Sequence, residues 1–105
     1  MASQDINLRD WLDSIGLTQA VFADVAGLHA ADVSGHCRGL RVTAHRIERM
    51  NTLRQEITDL LQTPSALIPN MRRPESIRAA LKNLEVMREQ ADRMAQILTT
   101  HPQVA

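Results

Sequence analysis

The chain is poor in aromatic side chains. Phe, Trp and Tyr make up 2% of its 105 residues, with one Trp, one Phe and no Tyr. A core with so few aromatics must come mainly from Leu, Ile, Val, Ala and Met, and with few Gly and Pro that mix favours helix over sheet. A single cysteine, Cys37, excludes an internal disulfide. Together with the lack of a signal-peptide pattern, this predicts a reducing, cytoplasmic setting. No apolar run approaches the roughly 20 residues needed to span a bilayer, so no membrane partner is expected. No low-complexity segment or internal repeat is evident. Net charge is zero, so the whole chain is not an obvious polyanion binder.

What is present is unevenly distributed. Residues 1–35 carry five Asp against Arg9, a sum of −4, whereas residues 36–54 carry Arg38, Arg41, Arg46, Arg49 and Arg54 against Glu48, a sum of +4. The basic strip is all arginine, the side chain best shaped to grip phosphate. A solvated helix face is the plainer reading of such a strip.

Hydrophobic spacing predicts five helices. After a frayed start over 1–6, Asn7 caps a helix from Leu8 to Ser14 or Ile15 whose apolar face is Leu8, Trp11, Leu12 and Ile15, stopped by Gly16. Thr18 caps a second helix, Gln19–Ala26, with Phe22, Val25 and Ala26 inward. Gly27 supplies the positive φ of a tight turn, and Leu28 plugs it. A third helix runs from Ala30 to about Arg38 with Val33 inward, and Gly39 closes it. Thr43 caps a fourth, Ala44 to about Gln62. The connector TPSALIPNMRRP breaks the helix at its prolines, and Leu67 and Ile68 are expected to fold back onto the core. Pro74 opens a last helix to about Leu98. There Ile77, Ala80, Leu84, Met87, Ala91, Met94 and Leu98 repeat at heptad spacing, widened by Leu81 and Ile97. Ile77, Leu81, Leu84, Met87, Met94 and Leu98 are the candidate dimerisation residues, although the seam is equally compatible with packing against the fourth helix of the same chain. Residues 100–105 read as disordered.

Within 19–38, Gln19, Ala23, Gly27, Leu28 and Val33 fall at the spacing of a helix-turn-helix. The chain there resembles the lambda-repressor-like family, often called Xre- or Cro-like. The likeness covers about residues 7–55, including the lead-in Leu8, Trp11, Leu12, Gly16 and the exit Arg38, Gly39, Arg41, Thr43. The resemblance implies an all-α, lambda-repressor-like helix-turn-helix domain, placed over 1–62, while the proline-containing connector over 63–73 and the C-terminal heptad helix over 74–105, expected to dimerise, are read from the prolines and the apolar spacing. The resemblance also implies binding of double-stranded DNA, with residues 29–38 as the helix in the major groove; the C-terminal helices are expected to pair two subunits into a homodimer. Thr18, Gln19 and the nearby amides would hold phosphate; His29, Ala30, Ala31, Ser34 and Gly35 would face base edges; Arg38, Arg41 and Arg46 would grip the far phosphates or a groove edge. The groove-facing positions are small, so direct readout is thin and DNA shape carries more weight. Asp32 repels phosphate unless it meets an arginine or a cytosine amine. The alternative function is a protein-interaction module, such as an antitoxin, anti-repressor or adaptor, which the neutral charge and the Ala/Gly/Ser helix favour.

Other chemistries find little support. His29, His36 and Cys37 lie seven and eight residues apart without a further ligand, unlike a structural zinc site. Cys37 reads as a small core side chain. Arg46, Arg49 and Arg54 read as a solvated face rather than base readers. Asp10 and Asp13 have no paired nucleophile, and there is no catalytic constellation. No metal, cofactor or small-molecule substrate is expected.

Overall fold

The computed structural model describes residues 6–100. Among these residues the chain is all-helical: α1 (Leu8–Ile15), α2 (Gln19–Ala26), α3 (Ala30–Cys37), α4 (Ala44–Leu61), a 3-10 turn (Ser65–Leu67) and α5 (Pro74–Thr100). Among the described residues no helix is long and apolar enough to cross a membrane. The expected frayed start over 1–5 and disordered end over 101–105 lie outside the described residues. Ile6, expected to fray with them, is instead held at its carbonyl by Arg54 (2.7 Å), and α5 runs two residues beyond its expected end.

Local chemistry sets the helix limits. The side chain of Asn7 accepts from the Asp10 amide (2.9 Å) and that of Thr18 from the Val21 amide (3.1 Å), each satisfying a donor that the first helical turn leaves free. Thr43 occupies the same position before α4 without a side-chain cap bond. The first three helices end alike. After α2, the Leu28 amide donates back to Ala23 O (2.9 Å) and the Gly27 amide to Asp24 O (3.1 Å), with Gly27 at φ 75°. The paired reverse bonds form a Schellman ending, and its left-handed residue favours glycine. The same bonds recur from Leu17 to Leu12 O (3.0 Å) and from Leu40 to Gly35 O (2.8 Å). Each ending turns a leucine back over the helix just finished.

One core joins all five helices. Phe22 from α2, Val33 from α3, Met50, Leu53 and Ile57 from α4, and Ile77 from α5 are buried together, with Leu8, Trp11 and Leu12 of α1 closing one side. Trp11 meets Phe22 edge to face, with ring centroids 6.1 Å apart, so the only two aromatics share one contact.

Three expectations need correction. The seam on α5 is not one continuous free surface. Ile77 is fully buried and Leu81 packs against the core, because the first turns of α5 dock on α2 and α4 of the same chain. Ile77 and Leu81 are therefore withdrawn as dimerisation residues, and Leu84 is half-buried. From Glu85 to Leu98 every residue is exposed, Met94 to 62% and Leu98 to 72%. Leu67 does not fold back: it stays exposed at the 3-10 turn, while Met71 takes the place against the core. Arg49 and Arg54 are not a solvated face. Arg49 Nε donates to Ala26 O (2.9 Å), and the Arg54 guanidinium lies over Trp11 at 5.2 Å. Both arginines lay their stems along apolar surface and use their heads as straps.

Candidate nucleic-acid interface

The α2–α3 pair is built from two eight-residue helices and the Gly27–Leu28–His29 turn. Ala23, nearly solvent-free, lets the helices approach, and Val33, fully buried, anchors the inner face of α3. The opposite face of α3 is left to solvent. His29 stands at its N-cap without a side-chain cap bond. His29, Ala30 and Ala31 are exposed, and Ser34 is half-buried. Thr18 is exposed, with its hydroxyl oxygen occupied as a cap, and Gln19 is half-buried beside it.

Gly35 does not belong with these residues. It is buried, and a Cβ built on it would lie 3.8 Å from the Leu40 side chain. It is covered by Leu40, which the Schellman ending of α3 folds back across it. Its candidacy as a base-edge residue is withdrawn.

The acidic residues near this face are neutralised in place. Asp32 pairs with Arg46 (3.5 Å). Asp24 pairs with Arg78, which also donates to Asp24 O. Arg46 is thus partly committed to Asp32 while remaining close to half exposed. Arg38, which follows the last turn of α3, and Arg41 in the exit segment are exposed and form no ion pair among the described residues. Together with Arg9 of α1, whose charge acts on Cys37, they put positive charge at this end of α3.

Arg72 was not legible as part of this surface. It is exposed and lines an open cleft of about 510 Å³ with Leu12, Leu17, Thr18 and Val21. This brings a connector arginine to the start of α2. The only sequence signal for it was the Arg72–Arg73 doublet within an otherwise uncharged connector.

The remaining candidates are structural. Cys37 is half-buried; burial pushes its thiol above the ordinary range, Arg9 pulls it down and Asp13 adds to the rise. That environment makes a poor nucleophile at neutral pH. His36 is half-buried on the same turn. No group of three His, Cys, Asp or Glu among the described residues is placed to hold a metal. Asp10 and Asp13 are exposed on α1.

No protein-family model, curated protein or solved structure matches the chain.

Proposed function

We propose that the chain is a sequence-specific DNA-binding transcriptional regulator of repressor type. In this reading α2 and α3 act as a helix-turn-helix that lays α3 in the major groove, and two subunits read an inverted repeat with half-sites about 34 Å apart. The observation that carries it is the presentation of α3. Val33 is fully buried while His29, Ala30 and Ala31 stand exposed, between Thr18 and Gln19 at one end and the exposed Arg38 and Arg41, without an ion pair among the described residues, at the other. Ala30 and Ala31 suit close approach and contact with thymine methyls, so affinity rests on phosphates and DNA shape more than on bidentate base contacts.

The test is capture of genomic fragments by the purified protein, followed by titration of the selected site. Affinity should fall steeply between about 50 and about 200 mM salt as counterions are released. Arg38→Ala and Arg41→Ala should each weaken binding and make the salt slope shallower by about 1. An affinity that does not change over that salt range contradicts the reading.

The second reading is a protein-interaction module such as an antitoxin, anti-repressor or adaptor, with the α3 face as its contact surface. Zero net charge and an alanine-rich face favour it. A protein that captures no DNA fragment yet binds a protein through Ala30 and Ala31 fits that reading and not the first.

A further inference from the structure

The exposed half of α5 and a groove on the body of the molecule share residues. The groove, of about 330 Å³, lies between the end of α4, the 3-10 turn and the early turns of α5. Leu60, Ala66, Leu67, Ala80, Leu84 and Met87 contribute to its lining, and no ionisable side chain does. The stripe that leaves it along α5 runs Leu84, Met87, Ala91, Met94, Leu98. A span of 14 residues at about 1.5 Å each makes this stripe roughly 21 Å long.

We propose that a second copy of this chain covers both features at once, with the two α5 helices antiparallel and crossing at Ala91. Three observations lead there. The stripe has the same residue types read in either direction about Ala91, so an antiparallel copy sets Met94 of the partner subunit beside Met87 and Leu98 of the partner subunit beside Leu84, at the mouth of the groove. The small Ala91 at the axis lets the helices approach closely. The charges also suit self-association: Glu85, Arg88, Glu89, Asp92 and Arg93, the ionisable residues between Leu84 and Leu98, sum to only −1, Arg88 is paired with Asp59 (3.2 Å), and neither stripe nor groove carries a charge to be desolvated. Such a contact is isologous, each copy giving the same patch. A parallel, in-register pair would instead set Met94 against Met94 of the partner subunit and Met87 against Met87 of the partner subunit.

This inference rests on the pairing of subunits in the proposed function and not on DNA binding, so its test contains no DNA. In full-length protein carrying Cys37→Ser, mild oxidation of a mixture of Met87→Cys and Met94→Cys chains should give a cross-linked dimer, and neither chain alone should. Both positions are exposed, which spares the fold. Met94→Asp should weaken self-association in sedimentation by at least about tenfold, because each copy would bury an unpaired carboxylate, with the far-ultraviolet circular dichroism unchanged. Self-cross-linking of Met94→Cys alone would overturn the antiparallel arrangement and leave pairing intact. Sedimentation of the unmodified chain as a monomer at micromolar concentration would overturn both. Either result leaves the DNA-capture experiment to be judged separately.

Discussion

Arg49 on α4 donates from Nε to the carbonyl oxygen of Ala26, the last residue of α2, at 2.9 Å. A helix C-terminus leaves carbonyls without intrahelical partners and carries partial negative charge, so a cation is favoured there. Arg78 of α5 reaches the same end of α2 at Asp24 O and the Asp24 carboxylate. The two arginines tie the helix preceding the Gly27 turn to the helices behind it.

Arg49→Met should keep most of the packed stem and lose the charged donor. Hydrogen bonds to charged groups contribute about 1.5–3 kcal/mol, and the half-buried setting of Arg49 puts the expected loss at the lower end of that range. Urea unfolding should show a lower midpoint at unchanged slope. An unchanged midpoint would mean that the bond contributes nothing net.

The glycines should split by backbone conformation. Gly27 is left-handed, so Gly27→Ala should destabilise by about 1–2 kcal/mol. Gly35 lies within α3 without a positive φ, and the added methyl would meet Leu40 at 3.8 Å, an ordinary contact. Gly35→Ala should therefore stabilise by about 0.5–1 kcal/mol. Thermal melts of the two variants should move in opposite directions, and DNA binding by Gly35→Ala should be unaffected, since the residue is buried.

Ile77→Ala should cost about 2–5 kcal/mol, the range for truncating a fully buried aliphatic side chain, whereas Met94→Ala should leave monomer stability within about 0.5 kcal/mol as an exposed substitution. Chemical denaturation at low protein concentration checks both. The contrast also marks the limit of what the pattern of residues could say. Caps and stops at Asn7, Thr18, Gly16 and Gly27 were legible because each acts within its own turn of chain. The seam from Ile77 to Leu98 was legible as apolar spacing, but spacing does not say which surface covers it, and the cover changes near Leu84. The straps were not legible at all. Arg49, Arg54 and Arg78 bond to carbonyls 23, 48 and 54 residues away, and every residue has a carbonyl. Burial of Gly35 was missed for a related reason: it depends on Leu40 turning back, which local helix geometry does not reveal.

Cys37 should alkylate more slowly in the folded protein than in urea at the same mildly alkaline pH, because burial raises its thiol. The raised folded value also links to stability. The contribution is full below the unfolded thiol pKa and is lost as pH rises through the folded one. The urea midpoint should fall on the alkaline side, and Cys37→Ala should remove that part of the fall.

Arg46 and Asp32 offer the sharpest test of the DNA reading. Their contact at 3.5 Å is between partly exposed groups and should add little to stability, at most about 1 kcal/mol. Its expected value lies in masking a carboxylate on α3. Arg46→Ala removes a cation and also uncovers Asp32 toward the phosphates, so it should weaken DNA binding more than Arg41→Ala, which removes a cation with no ion-pair partner. Asp32→Ala alone should bind as well as the parent or better. In the double variant, loss of Asp32 should restore part of what Arg46→Ala removes, giving a non-additive cycle. Strict additivity of the two changes, measured at one fixed salt concentration, would show that Asp32 does not face the nucleic acid.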